Sequence, residues 1–501
     1  MNPRYKITAI LLMGLLPFVL TSANYPPGNE EPVKLVINAQ EDGKTIPADY
    51  IGLSYETKVL LPDENGHYYF RADNKALVAV FKTLGIKNLR IGGNSVDVAT
   101  VPIPTEKDID QLFAFAKAAG VKVIYSVRLH DGDPQSAARL AKHIYKNYAD
   151  LLDLFAVGNE PGYYKDYEGQ LKPYWESIVK AMQEVAPKAR FCAPDDNPNP
   201  VLAERMVHDF GAPKGPVSLV TVHSYPAGGA YKNPQATVAV KDLIPNDAKQ
   251  KRELLLSAKL TTEYESIYSK MEPLIAHFPY RLSETNSIWY GGLEGASNTY
   301  AAALWGLDYM YWWASHGAFG INFHTGDKVG GGDKSLPSRY AAFVTEGSGY
   351  EIRPLSYAIK AFDLGFTGKL APVSLPGRAE NLTAYATKAK DGTFFITLIN
   401  KEYGAGAKNR MLDLSFTGAA QISGTAACLL LEAPAGDVSV KNGIALGGKG
   451  ITPDGKWDGN SWKPLKAAQG MIHTEIPPAS AMIIAGQCHD HKGESESLSH
   501  S

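Results

Sequence analysis

The stretch Leu152-Asp-Leu-Phe-Ala-Val-Gly-Asn-Glu-Pro161 runs an apolar segment straight into a carboxylate. Leu, Phe and Val crowd it like a strand buried on both faces, and Gly158 and Pro161 punctuate its end. Tyr280-Arg-Leu-Ser-Glu284-Thr-Asn-Ser287 repeats the arrangement. A carboxylate at a strand end is placed for chemistry rather than for packing.

Working outward, six more short β-rich runs belong with these two. In chain order the eight lie at 51–56, 88–92, 121–126, 152–157, 189–193, 219–223, 281–284 and 319–323. Amphipathic windows at 74–84, 108–119, 136–148, 173–185 and 298–315 read as helices between them. Eight β-then-α units in series predict a (β/α)8 TIM barrel over residues 48–366, an α/β fold. The span between His223 and Arg281 exceeds one crossover and predicts an extra loop or helix there.

Beyond Gly365 the period changes from helical to alternating, punctuated by Asp391-Gly392, Asn442-Gly443 and Asp454-Gly455. This predicts an all-β sandwich over residues 370–487, with a strand from 33–40 contributing to it. At the N-terminus, Arg4 and Lys6 precede an apolar run from Ile7 to Leu20 and the small residues Thr21-Ser-Ala23. That is the pattern of a signal peptide over 1–23, and it predicts a secreted or periplasmic protein. The run is short for a membrane span, and no later segment reaches the roughly 20 apolar residues required. Residues 488–501 are polar and aperiodic and read as a disordered tail.

Fifty Lys and Arg balance 52 Asp and Glu without a basic run, which argues against nucleic acid as a partner. Three widely spaced cysteines, Cys192, Cys428 and Cys488, form neither a disulfide framework nor a zinc-ligand rhythm. No metal and no cofactor is expected.

A barrel gathers its strand ends around one mouth. Glu56, Asn94, Arg128, His130, Asn159, Glu160, Asp195, Asp196, Asn197, His223, Tyr225, Glu284, Asn286, His324 and Asp327 fall there. Singly, Glu56 or Asp195 reads equally well as a helix cap or an ion-pair partner, and His223 or His324 as a structural donor. The pair Glu160 and Glu284 reads as the two carboxylates that cleave a glycosidic bond, one donating a proton and one attacking. For direct attack their carboxyl groups must lie about 5–5.5 Å apart.

Asn159-Glu-Pro161, His223-Ser-Tyr225 and Glu284-Thr-Asn286 resemble the strand-end signature of clan A retaining glycoside hydrolases. Leu89-Arg-Ile-Gly-Gly-Asn94, Gly158-Asn-Glu-Pro161 and Phe323-His324 resemble family 79, the β-glucuronidase and heparanase family. The resemblance covers nearly the whole chain, since that family also carries a β-sandwich after its barrel. It implies Glu160 as acid/base, Glu284 as nucleophile, and Asn159 as a ligand of the sugar 2-hydroxyl. One departure stands out: Phe323-His-Thr-Gly326 replaces a Phe-His-Gly-Gly pattern of the relatives.

Tyr225 is expected to hydrogen-bond the nucleophile and keep it ionised. A glucuronide also needs something to hold its carboxylate, and the loop from Gly326 to Tyr340 offers glycine amides, Lys334, Arg339 and Tyr340. Read otherwise, that loop is a flexible surface segment. Tyr290 completes the expected pocket, with Trp289 as a stacking alternative, and Glu56 is expected on a sugar hydroxyl. The leading functional expectation is an exo-acting retaining β-glucuronidase releasing terminal glucuronic acid or its 4-O-methyl form. Alternatives are an endo-acting heparanase-like enzyme, a clan A glycosidase for a neutral sugar, and a non-catalytic carbohydrate-binding protein.

Overall fold

The computed structural model describes residues 31–490, apart from 230–246, 277, 331–334, 376–380, 418–419, 423–424 and 469. The expected signal segment and all but the start of the expected tail lie outside the described residues.

Strand β1 (Val33–Ile37) is followed by eight strands that close into a parallel barrel: β2 (Ile51–Glu56), β3 (Asn88–Gly92), β4 (Lys122–Val127), β5 (Leu152–Val157), β6 (Phe191–Asp196), β7 (Val217–Ser224), β8 (Tyr280–Thr285) and β9 (Ile321–His324). Each overlaps one of the eight runs read from the sequence, and five contain theirs entirely. The largest difference is at β6. The run read from the sequence spans 189–193, yet pairing with β7 carries the strand from Phe191 through to Asp196, with a register shift between Pro194 and Asp196.

Helices α1 (Lys75–Thr83), α2 (Glu106–Ala119), α3 (Pro134–Tyr148), α4 (Lys172–Val185) and α5 (Pro200–Phe210) cover the barrel. Their ends follow local chemistry. Thr105 and Asp108 form a capping box on α2, and Gly120 closes it in the left-handed conformation. Asp133 and Asn199 cap α3 and α5, each with proline at the first turn.

Between β7 and β8 lie α6 (Ala248–Leu256) and α7 (Thr261–Ile275). The extra helix, α6, ties two loops at the mouth, since Lys251 donates to the Ala227 carbonyl at 2.7 Å and Arg252 to that of Gly295. Helix α8 (Tyr300–Ser315) is buried almost all round because it lies between barrel and second domain. Helix α9 (Pro354–Gly365) follows.

The second domain is one continuous path of strands whose two halves join through Lys463–Ala468. Leu35, Leu412 and Ile472 from one half share a core with Ile396, Leu398 and Ile484 from the other, so the halves face each other as a sandwich. Strand β1 pairs in parallel with Arg410–Phe416. Along Thr393–Asn400 and Ser480–Asp490 the alternate residues, Ile399, Ala481 and Ile483, face the barrel core instead. At that junction buried Asp308 on α8 accepts from Lys401 (2.6 Å), Thr383 and Tyr385 (both 2.8 Å). The last strand runs to Asp490 and pairs with Ala420–Ile422, so the tail expected from 488 begins with three paired residues. No helix among the described residues is long and apolar enough to cross a membrane.

Candidate active site

The site is built around a buried cation in the middle of a strand. Arg90 sits on β3, fully shielded from solvent. Its guanidinium donates to Glu284 Oε2 at 2.6 Å, Asp195 Oδ2 at 2.5 Å, Asn159 Oδ1 at 2.8 Å and Ser54 Oγ at 3.1 Å. One planar fork thereby fixes side chains from β2, β6, β8 and the loop after β5.

Glu284, 6 % exposed, accepts a second bond on Oε1 from the Tyr225 hydroxyl at 2.8 Å. Burial by itself raises the pKa of a carboxyl, but His324, His223, Arg90 and that hydroxyl hold Glu284 well below the usual carboxylate range. Burial and the Glu284 charge push Tyr225 well above the ordinary phenol value, so it remains a donor. His324 Nδ1 lies 3.7 Å from Glu284 Oε2 and 3.1 Å from Ser54 Oγ. Asn286 ties the ends of two neighbouring segments, donating to the carbonyls of His324 (3.0 Å) and Tyr340 (3.2 Å).

Glu160 stands opposite with a more open side chain, 27 % exposed. Strand β5 ends at Val157, and beyond it Gly158 (φ 81°) and Glu160 (φ 51°) are left-handed rather than extended. A Cβ at Gly158 would lie 2.6 Å from that of Leu129, so glycine is required there. For Glu160 the conformation costs about 1–3 kcal/mol and persists because its N–H donates to the carbonyl of Asp195 at 2.8 Å, itself at φ 60°.

His223 joins the two sides. Its Nδ1 is 3.0 Å from Glu160 Oε1 and its Nε2 3.3 Å from Asp195 Oδ1. Burial alone would push the imidazole pKa down. The Glu284 and Asp195 charges and the bonds to Asp195 and Glu160 overcome that and push it up to about 10, so the ring is cationic at neutral pH. Burial likewise opposes ionisation of Asp195, yet Arg90, His223 and the Ser283 hydroxyl hold it low. Glu160, His223 and Glu284 each offer an atom within 4.8 Å of the others. A metal ion at these atoms would have to displace the His223 proton and compete with Arg90 for Glu284, so the donor set fits an ion-pair network better than a metal centre.

The remaining expected residues fall into two groups. Asn94 accepts from Asn159 Nδ2 at 3.1 Å and so steadies that side chain. Glu56 is 1 % exposed and spends its oxygens on the amides of Ser95 and Gly330, both at 2.8 Å. Tyr340 is buried with its ring 6.0 Å from Tyr225 and 6.1 Å from His324. The outer group is looser: Tyr290 is 51 % exposed, and the Arg339 guanidinium ion-pairs with Glu294 at 2.9 Å. The carbonyl of Gly291 accepts from the amides of Arg339 and Tyr340, which joins the loops after β8 and β9 into one wall. Lys334 lies outside the described residues.

Arg90, Asp195 and His223 form the centre of the network, a place that a strand-end position alone does not assign to any of them. The signal for Arg90 was present: a charge inside the fully buried run Asn88-Leu-Arg-Ile-Gly92 demands a buried partner.

No family model matches the chain. It is 24 % identical over 382 residues to a β-glucuronidase of Aspergillus niger (strain ATCC MYA-4892 / CBS 513.88 / FGSC A1513), a match spanning 68 % of this chain and 64 % of that protein's length. Among solved structures it resembles a 4-O-α-L-rhamnosyl-β-D-glucuronidase from Fusarium oxysporum 12S (TM-score 0.66, 16 % identity, 90 % of this chain and 100 % of that one). It also resembles the GH51 arabinofuranosidase from Xanthomonas axonopodis pv. citri (TM-score 0.61, 16 % identity, 91 % and 100 %). These proteins are glycoside hydrolases, and the solved ones share this chain's fold.

Proposed function

We propose that the chain is a retaining exo-β-glucuronidase of family 79, releasing terminal glucuronic acid or its 4-O-methyl form by double displacement. The observation that carries the mechanism is the approach of Glu160 and Glu284, whose nearest oxygens lie within 4.8 Å. That supports the short separation of a retaining pair over the roughly 6.5–9.5 Å of an inverting one.

In the first step Glu284 attacks the anomeric carbon while Glu160 passes its proton to the glycosidic oxygen, and the aglycone leaves as an alcohol. In the second, Glu160 takes a proton from water, which attacks the same carbon and frees Glu284. Arg90 and Tyr225 keep Glu284 ionised and aimed, and Asn159, held by Arg90 and Asn94, presents its amide to the sugar 2-hydroxyl. The joined wall of Tyr290, Gly291 and Tyr340 is the proposed reader of the sugar carboxylate. In the same reading residues 1–23 direct export, checked by the N-terminal sequence of protein recovered outside the cytoplasm.

The deciding experiment compares aryl β-glucuronide with aryl β-glucoside, β-xyloside and α-arabinofuranoside. Preference for the glucuronide by an order of magnitude or more is expected. Preference for a neutral sugar overturns the substrate class and leaves the two-glutamate mechanism standing. Release of oligosaccharides rather than single uronic acids from a polymer overturns exo action.

A further inference from the structure

We propose that Tyr163, flanked by Tyr164 and His130, is a subsite for the leaving group, accepting a ring with a flat or apolar face bonded to the departing oxygen. The proposal rests on Glu160 as the proton donor. Tyr163 is 44 % exposed in a protein that buries most of its large aromatics. Its ring lies 4.6 Å from that of Tyr164 at 31° and 5.8 Å from that of His130 at 65°, so three rings form one cluster.

The cluster is indexed to Glu160. It begins three residues further along, in the turn Pro161–Tyr163, and only Gly162 intervenes after the proline. A Cβ at Gly162 would lie 2.5 Å from Asp196 Oδ2, so this turn is seated against the end of β6. Asp97 ties the two contributing loops together. One of its oxygens accepts the amides of Leu129 (2.7 Å) and His130 (3.0 Å), and the other accepts that of Asn159 (2.8 Å). Tyr174 adds a bond to the Gly132 carbonyl at 2.8 Å. These hydrogen bonds hold the contributing loops together and preorganise the platform.

Chemistry gives its occupant. A proton donor must reach the glycosidic oxygen, so the group bonded to that oxygen lies on the donor's side of the scissile bond. Tyr225 follows β7, and Glu284 and His324 lie at the ends of β8 and β9, whereas His130 and Tyr163 follow β4 and β5. Tyr163, three residues beyond Glu160 on the same loop, lies on that side. Aryl groups and the apolar face of a sugar ring share the chemistry that such a surface stacks.

The test is a ratio. For wild type, Tyr163→Ala and Tyr163→Phe, kcat/KM is measured on an aryl β-glucuronide, a glucuronyl disaccharide and β-glucuronyl fluoride, whose leaving group carries no ring. In Tyr163→Ala the aryl-to-fluoride ratio is expected to fall roughly three- to tenfold, mainly through KM, and Tyr163→Phe to restore it. A fall for the disaccharide as well identifies a sugar face as an occupant, and its absence restricts the subsite to aryl groups. An unchanged ratio, or equal losses on fluoride and aryl substrate, overturns the proposal, the latter because Tyr163 then only props Glu160. If wild type prefers another sugar, the substrate-class reading fails while the same ratio on that sugar's aryl glycoside and fluoride still decides the subsite.

Discussion

Replacing Arg90 by glutamine removes one buried positive charge and leaves the carboxylates of Glu284 and Asp195 facing each other across the site. Two effects follow, and their sizes come from the geometry. Arg90 is completely buried, and its ion pairs with both carboxylates measure 2.5–2.6 Å. Breaking such a pair typically costs about 3–5 kcal/mol, because the surviving charge stays desolvated. The variant should therefore unfold at markedly lower denaturant concentration with an unchanged m-value. The second effect is on the nucleophile. A unit charge about 4 Å away contributes roughly 4 kcal/mol at an effective dielectric constant of 20, close to three pH units as an upper bound. His223, His324 and Tyr225 remain, so the acidic limb of kcat/KM should move up by about one to three units. The assay is the pH profile of kcat/KM on an aryl glycoside, alongside urea denaturation and an Arg90→Lys variant. Lysine restores the charge without the fork, so it should recover most of the acidic limb and less of kcat. A folded Arg90→Gln enzyme with an unmoved acidic limb would refute the claim that Arg90 sets the ionisation of Glu284.

Glu160→Ala should slow substrates with poor leaving groups by about 10²–10⁴-fold and those with activated phenols far less, with azide restoring turnover as a β-azide product. Equal losses across a leaving-group series would deny it the acid role. A 2-deoxy-2-fluoro glucuronyl fluoride should leave a covalent ester on the peptide containing Ser283-Glu284-Thr285, read by mass spectrometry; label on another carboxylate or an α-configured first product by NMR would overturn retention. The pKa of His223 is raised on folding, so its contribution to stability is full below about pH 6.5 and disappears as pH climbs through about 10. Denaturation curves from pH 7 to 10 should fall more steeply for wild type than for His223→Gln, and parallel curves would place no proton on His223.

Strand-end chemistry was legible because a barrel fixes its own geometry: once eight β-then-α units are counted, every strand end points at one mouth, and Glu160 and Glu284 meet although 124 positions separate them in the chain. The helical window from 108 found α2 but not its start, which the Thr105 and Asp108 capping box places at Glu106. What required the tertiary structure was everything set by contacts across the barrel interior. Arg90 reads as one basic residue in an apolar run, and only closure brings Ser54, Asn159, Asp195 and Glu284 to its guanidinium. The left-handed turns at Gly158, Glu160 and Asp195 were equally hidden, because a hydrogen bond between distant segments holds Glu160 where local preference would extend it. Periodicity and spacing are properties of neighbours in sequence and specify the scaffold; the charge state of a buried side chain depends on neighbours in space, which the fold supplies.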